Sequence, residues 1–313
     1  MSLVIKVGIS SCLVGEKVRY DGGHKRSDFC DVELRRHLQL VPYCPEVGIG
    51  LGVPRPTIRL QGDSHAPDAV IVKTAESVTE RLADFASNRE RQFEQLSGYI
   101  LCAKSPSCGM ERVRVYKEGS NENTRDGMGI FARRVQQMFP AMPLEEDGRL
   151  NDPLLRENFI LRVYVYSAWQ QLPRPLTASV LQGFHAQQKF TLLAHNQPVY
   201  RELGRKLAEQ RSFDEDFTTW YIETLMDALS KPASRKNHTN VLQHIQGFFS
   251  DQMDADERQD LTEVILGYNS GQLPLVAPLT LINHYLRKHP DTYLQEQSYL
   301  HPYPDDLKLR YGL

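Results

Sequence analysis

Short apolar runs alternate with amphipathic stretches through the first half of the chain. Val4–Ile9, Leu38–Tyr43, Ala69–Val72 and Tyr99–Ala103 are apolar runs of strand length, suited to strands buried in a parallel sheet. Between them, Val32–His37, Val78–Leu96 and Gly129–Phe139 carry apolar residues at helical spacing. A further strand is expected near Met142–Glu145, after which the polar, turn-rich EEDGRLNDP marks a boundary. The alternation predicts an α/β domain over residues 1–150, Rossmann-like and doubly wound, with a mostly parallel sheet.

Past the boundary the pattern changes period. Strand-like runs become scarce, and helical spacing covers Pro153–Gln171, Thr177–Asn196, Val199–Glu209, Glu215–Leu229, Arg235–Phe249, Ala255–Asn269 and Leu279–Arg287. Pro175, Pro198, Pro232, Pro274 and Pro278 punctuate these segments, as residues that open or interrupt helices do. Residues 151–313 therefore read as an all-α domain.

Composition narrows the class. The 313 residues are 41% hydrophobic and 24% charged, values of a globular chain rather than a disordered tail or a repeat array. A formal net charge of −2 predicts no polyanionic partner by itself, so any nucleic-acid surface must be a local patch. The opening MSLVIKVGISSC lacks an apolar core of signal-peptide length, and no window approaches the roughly twenty apolar residues of a membrane span. A cytoplasmic chain with no membrane partner is expected. Five widely spaced cysteines argue against a disulfide framework and for reduced thiols.

Three of those cysteines share a context. Cys12 in GISSCLVG, Cys44 in PYCPEVGIGLGVPR and Cys108 in KSPSCGM each stand in a glycine- or proline-rich loop after an apolar run. Loops after parallel strands leave the sheet at its ligand-binding edge, so the thiols are expected to gather there. Three convergent thiolates suit an iron–sulfur cluster with one unligated iron, and the residue types would equally suit zinc. Cys102, inside YILCA, reads as core, and Cys30 is assigned nothing.

Around the thiols stand residues that could work with them. Glu46, two positions after Cys44, is a candidate general acid or base whose pKa a dry pocket would raise. Ser105 and Ser107 could orient a substrate or simply bond to their own turn. Lys104 could neutralise an anion. The segment VRYDGGHKR, an Asp-Gly turn at Asp21 with Arg19, Tyr20, His24 and Lys25, could close over the site and contact a phosphate or base, and Arg55 and Arg59 could contact substrate or backbone. In the second half Lys231, Arg235, Lys236 and His238 surround a helix start, and Lys189, Arg201, Arg205 and Lys206 could extend a phosphate-contacting patch.

At these motifs the sequence resembles a known family. Residues 1–150 are similar to thiouracil desulfidases, in which SxCLxGxxVRYDGG, CPExxxGLxVPR and SPSCG segments recur; this chain carries SSCLVGEKVRYDGG, CPEVGIGLGVPR and KSPSCG in the same order. The second half resembles the helical module that often follows that domain, through FHAQQKFTLLAHNQPVYRELG, KPASRKNHTNVLQHIQGFF and YLHPYP. The fused pair resembles bacterial desulfidases that convert 4-thiouridine in tRNA to uridine. The resemblance implies a [4Fe–4S] cluster on Cys12, Cys44 and Cys108 and catalysis by Glu46 and Ser105; Ser11, Arg19, Tyr20, Asp21, Arg55 and Ser107 are the expected substrate contacts. It also implies C–S cleavage by water without net redox change, and tRNA recruitment by the helical half. The alternatives are desulfuration of free 2-thiouracil or thionucleosides, and a non-catalytic iron–sulfur or zinc protein that binds RNA or senses redox state.

Overall fold

The structure, a computed structural model, describes residues 4–210, 212–249 and 251–310. The outermost residues of both expected domains, including the first three of the opening segment, lie outside that description. The chain divides into two compact units, Met1–Asp152 and Pro153–Leu313.

The first unit contains two four-stranded sheets. One is built from β1 (Lys6–Ser10), β2 (Gln39–Tyr43), β5 (Tyr99–Leu101) and β8 (Leu144–Glu146), all parallel, in the order β2-β1-β5-β8. The two central strands are almost wholly buried, as continuous apolar runs require. Pro42 is tolerated in β2 because that strand lies at the edge. Close packing behind the sheet is strict at Gly8, where an added Cβ would lie 2.3 Å from the Tyr99 ring.

The second sheet holds β3 (Ile58–Gln61), β4 (Asp68–Ile71), β6 (Val113–Tyr116) and β7 (Asn123–Gly127) in the order β4-β3-β6-β7. Only the β3–β6 pairing is parallel. This corrects the expectation that Ala69–Val72 joins a parallel sheet. The linker 62–67 between β3 and β4 is too short for a parallel crossover, which needs a dozen or more residues, so the two strands pair antiparallel. Three strands of this sheet were not foreseen. β7, NTRDG, is exposed except for its last residue and shows no apolar alternation.

Among the described residues of this unit are four α-helices: α1 (Pro45–Gly48), α2 (Thr79–Ser87), α3 (Glu90–Phe93) and α4 (Ile130–Met138). The single helix expected over Val78–Leu96 is broken between α2 and α3, and the helix expected over Val32–His37 is replaced by two short irregular turns, Phe29–Glu33 and Leu34–Arg36.

The second unit is helical: α5 (Pro153–Gln170), α6 (Ala178–Gln187), α7 (Lys189–His195), α8 (Gln197–Glu209), α9 (Glu215–Ala228), α10 (Arg235–Phe248), α11 (Ala255–Asn269), α12 (Val276–Lys288) and α13 (Thr292–Gln295). Phe190, Leu242, Ile245, Phe249, Leu261 and Ile282 are among the fully buried residues of its core. Thr177, Asn196, Asp214, Ser234, Asp254 and Asp291 cap helices with their side chains. The single helix expected over Thr177–Asn196 is interrupted at Gln188. There Gln297 Nε2 and Ser298 N bond the carbonyls of Ala186 and Gln187, while the buried Gln188 accepts from Ser298 Oγ. Tertiary partners near the chain's far end thus end α6. No described helix is long and apolar enough to cross a membrane.

Candidate metal centre

β2, β1 and β5 are neighbours, and the cysteine loops leave from their C-terminal ends. Cys12 lies in a 3₁₀ turn, Ser11–Val14, directly after β1, closed by Gly15 at φ +89°. Cys44 follows β2 and precedes α1, with Pro45 at the first helical position. Cys108 lies seven residues beyond β5. β2 and β5 flank β1 on opposite sides, the switch in strand order at which open α/β sheets form a ligand crevice.

The Cys108 loop is held by its own serine. Ser105 Oγ accepts from the amides of Ser107 (3.2 Å) and Cys108 (3.1 Å), a turn-stabilising arrangement. Both acceptor positions are then filled, and the hydroxyl hydrogen remains free to donate. Loop carbonyls of Pro106 and Ser107 receive the amides of Ile130 and Ala132, so the loop also caps α4. Gly129 is required there, because a Cβ would lie 2.5 Å from the Ser107 carbonyl oxygen.

Glu46, in the first turn of α1, is gripped on both oxygens. Oε2 accepts from Arg55 Nε (2.8 Å) and Nη2 (2.5 Å), and Oε1 accepts from Ser107 Oγ (2.7 Å). The Arg55 side chain is 5% exposed, that of Glu46 15%, and Ser107 is fully buried. Arg55 Nη1 also donates to the Val18 carbonyl (2.9 Å), towards which the Cys44 thiol is directed at 3.9 Å. The Arg55 amide donates to the Tyr20 carbonyl (2.9 Å), which ties the VRYDGG loop to the Glu46 network.

The thiols are poor acids in this setting. A hydrogen bond to Cys102, together with burial, pushes the Cys12 thiol up. Burial pushes the Cys44 thiol up and the Cys108 thiol well up. Each of the three lies within electrostatic reach of another, so ionising one resists ionising the next. Among the described residues no three His, Cys, Asp or Glu side chains are grouped closely enough to hold one metal ion.

Of the other expected substrate contacts, Ser11 is buried at the turn beside Cys12. Tyr20 and Asp21 form an exposed tip beside the half-buried Arg19, which lies 3.7 Å from the Asp21 carboxylate and 5.6 Å from the Tyr20 ring centre. Asp21 Oδ1 also accepts from the Gly23 amide (2.9 Å).

Sequence reasoning read Cys102 as core and Lys25 as part of the closing segment, and gave Ser10 and Asp147 no role. Ser10 Oγ accepts from the Cys102 amide (3.0 Å) and bonds the Cys108 thiol. Lys25 Nζ binds Asp147 (2.8 and 3.1 Å), and Asp147 Oδ1 accepts from the Ala103 amide (2.8 Å). The Lys25 amide returns to the Cys12 carbonyl (2.9 Å). The one available signal was that Cys102 immediately follows the strand beside β1.

The basic residues expected to contact tRNA are dispersed in role. Arg235 departs from that expectation: its Nη1 donates to the Tyr268 carbonyl (2.7 Å) and its guanidinium lies on the Tyr268 ring. His238 departs further. Its Nδ1 meets the Tyr299 hydroxyl at 2.8 Å, and burial pushes its pKa well below the usual value, so it supplies no positive charge at neutral pH. The Lys189 amine lies 5.2–5.8 Å from the ring centres of Phe190, Phe248 and Tyr293. Arg205 pairs with Glu209 on its own helix, whereas Arg201, Lys206, Lys231 and Lys236 are exposed.

A family model described as 2-thiouracil desulfurase matches residues 7–147, and one described as a protein of unknown function, DUF1722, matches residues 189–304. The uncharacterized protein YbgA of Escherichia coli (strain K12) is 35% identical over 159 residues, which cover 50% of this chain and 94% of YbgA. The uncharacterized protein YbbK of Bacillus subtilis (strain 168) is 27% identical over 153 residues, 47% of this chain and 98% of YbbK. A solved structure of the [4Fe-4S]-dependent thiouracil desulfidase TudS aligns over 47% of this chain and 93% of its own, at 25% identity and a TM-score of 0.38. The chain belongs to the family of YbgA, and joins a 2-thiouracil desulfurase-family domain to a DUF1722 domain.

Proposed function

We propose that the first unit, Rossmann-like in its parallel sheet, is a desulfidase of small thiolated pyrimidines such as 2-thiouracil, with a [4Fe–4S] cluster held by Cys12, Cys44 and Cys108. The observation that carries this reading is three thiols, two buried and one half-buried, in the loops that follow neighbouring strands, in one unit with a carboxylate clamped by Arg55 and Ser107. The family model matched by residues 7–147 supports the same chemistry.

The donor set fits the group. It consists of three soft sulfur donors, and burial keeps them protonated until a cation displaces the protons. Three thiolates around one zinc ion, with bonds of about 2.3 Å, would stand only about 4 Å apart. A multi-iron cluster is ligated from farther apart, which agrees with thiols that sense one another without closing on a single ion. When bound, the cluster supplies a thiophilic Lewis acid that polarises the carbon–sulfur bond.

The chain's own residues do the rest. Arg55 holds Glu46 Oε2, so the carboxylate meets substrate through Oε1, which retains a lone pair beside the Ser107 bond. There it takes a proton from the attacking water. Ser105, its acceptor positions filled by backbone amides, donates its hydroxyl hydrogen to charge developing on the ring. Ser11 and the Arg19–Asp21 tip bound the space in which the base is held.

The test is anaerobic incubation of the iron-reconstituted protein with 2-thiouracil and, separately, with tRNA bearing 4-thiouridine, following sulfide release and loss of near-ultraviolet absorbance. Sulfide from the free base is the expected result. Sulfide from the tRNA alone would replace this reading with the narrower one, in which the helical unit recruits tRNA. Glu46→Gln should keep its iron and lose turnover by about 10²–10⁴-fold; a fully active Glu46→Gln protein removes the carboxylate from the mechanism.

A further inference from the structure

Two thiols of the first unit stand against each other, and one of them has no part in the ligand set above. The Cys12 thiol is hydrogen-bonded to the thiol of Cys102. Cys12 follows β1 and Cys102 follows β5, strands that pair side by side with Ile9 next to Ile100. Bonds on two sides hold the strand ends at this spacing. On one side Ser10 Oγ accepts from the Cys102 amide (3.0 Å). On the other, the Lys25 amide donates to the Cys12 carbonyl (2.9 Å), Lys25 Nζ pairs with Asp147 (2.8 Å), and Asp147 Oδ1 accepts from the Ala103 amide (2.8 Å). A single ion pair thus ties the residue after Cys102 to Cys12.

The other two thiols of the loops are turned to oxygen. Cys44 is directed at the Val18 carbonyl (3.9 Å), and Cys108 bonds the Ser10 hydroxyl. Cys30 is fully buried in the turn Phe29–Glu33, outside the cysteine loops. A cysteine that only fills the core needs no second thiol and no bridge to keep it there. Cys12 and Cys102 are 8% and 7% exposed, which leaves both within reach of an oxidant as small as a peroxide.

We propose that Cys12 and Cys102 are a redox modification site, a dithiol that closes to a disulfide when the chain lacks its cluster and meets a peroxide. The step balances. Hydrogen peroxide converts one thiol to a sulfenic acid and releases water; the sulfur of the second thiol then forms the S–S bond and displaces a second water. The pair gives up two protons and two electrons, and the peroxide is reduced to two waters. The disulfide occupies Cys12, so no cluster is rebuilt until a thiol reductant reopens the bond by exchange. It also spares Cys12 the further step to sulfinic acid, which such a reductant does not reverse. With the cluster bound, the Cys12 sulfur is committed to iron and the pair stays open. These consequences for iron rest on the desulfidase reading, whereas closure of the disulfide does not.

The five cysteines fall in separate tryptic peptides, so the partner of Cys12 is read directly by mass. Cys12 lies in 7–17 and Cys102 in 92–104. The intact, iron-free chain is treated anaerobically with hydrogen peroxide, alkylated and digested. A cross-link between those two peptides is the expected result, and the iron-reconstituted chain should not give it. Cys102→Ser should bind iron normally before peroxide and lose the cross-link after it. Peroxide followed by dithiothreitol should return the unsubstituted chain to full iron uptake and leave Cys102→Ser with most of its uptake lost. The peptide map of the unsubstituted chain needs no variant and stands even if Cys102→Ser fails to fold. A cross-link from Cys12 to Cys44 or Cys108 instead, no cross-link at all, or equal recovery of iron by the variant overturns the proposal. If the untreated chain takes up no iron, the cluster reading falls, and the cross-link alone then decides this inference.

Discussion

Arg310 and Arg114 carry the same guanidinium, one in each unit, and meet opposite fates. Arg310 is 8% exposed in its side chain; it donates to Glu157 Oε1 (3.0 Å) and to the Tyr299 carbonyl (2.7 Å), while Tyr303 donates to the same Glu157 oxygen (2.7 Å). Arg114 stands exposed and lines a groove with Arg59, Lys104, Arg112 and Arg125, among whose lining residues there is no aspartate or glutamate. Arg310 Nη2 is itself buried without a hydrogen-bond partner, so the contrast lies in the ion pair and not in complete satisfaction. In the helical unit, Arg235, His238 and His195 close on Tyr268, Tyr299 and Asn158. In the first unit, five cationic side chains line one groove that holds no aspartate or glutamate, and three thiols stand in the loops after neighbouring strands. Polar groups that satisfy one another hold a fold together; polar groups collected without partners point to something the protein must bind.

The largest effects should fall on the unit with unpartnered groups. Cys12→Ala, Cys44→Ala or Cys108→Ala should reduce iron in the anaerobically reconstituted protein to background and abolish sulfide release. Cys30→Ala, at a fully buried site outside the cysteine loops, should retain both. Iron analysis decides the matter, and full iron in any of the first three variants would remove that residue from the ligand set.

Next in size is the Arg310 network. Glu157→Ala leaves a buried guanidinium without its carboxylate, a loss that typically costs about 3–5 kcal/mol. Both of the chain's two tryptophans, Trp169 and Trp220, lie in the helical unit, so tryptophan fluorescence reports its denaturation alone. The urea midpoint by fluorescence should fall sharply while iron content and release of sulfide from 2-thiouracil persist. Loss of iron with an unmoved fluorescence transition would break the comparison between the units.

The same comparison explains what the sequence made legible. Apolar periodicity located the core helices of the second unit within a few residues, because those helices bury one face against one another. It failed at Gln188, where the break depends on Gln297 and Ser298, more than a hundred residues away along the chain. It also failed for β7, whose polar residues form a strand only because β6 lies beside them. The cysteine loops were legible because glycine, proline and thiol recur together. The groove lined by Arg59, Arg114 and Arg125 was not, since it forms through the pairing of β3, β6 and β7, strands that periodicity did not mark. His238 misled for the reverse reason: a histidine beside Arg235 and Lys236 reads as basic until Tyr299 is placed against it.

Acid should separate the units in a smaller but graded way. Burial lowers the His185 pKa to about 4, and burial also lowers His195 and His238. An unfolded histidine titrates near 6.5, so between pH 6.5 and about 4 the unfolded chain holds a proton that the folded one refuses. The stability of the helical unit is therefore full above pH 6.5 and falls as pH drops toward 4, by up to about 3 kcal/mol from His185. Urea midpoints by tryptophan fluorescence should trace that decline, and His185→Gln should flatten it. An unchanged slope in the variant would show that His185 is not the group responsible.

The smallest expected effect tests how each unit begins a helix. Asp254 Oδ1 accepts from the Glu257 amide (2.9 Å) and Glu257 Oε2 accepts from the Asp254 amide (3.2 Å), a reciprocal pair at the start of α11. Asp254→Ala should cost about 1 kcal/mol by fluorescence-detected unfolding, and Asp254→Asn should recover most of it, because an amide oxygen caps as well as a carboxylate. At α4 no side chain plays this part. Its first amides are received by the carbonyls of Pro106 and Ser107, in the loop that carries Cys108. Gly129→Ala, which drives a Cβ against the Ser107 carbonyl, should accordingly disturb iron retention, whereas Asp254→Ala should leave it untouched. If Asp254→Ala lost iron as readily as Gly129→Ala, the helical unit could not be the separate scaffold that its internal contacts describe.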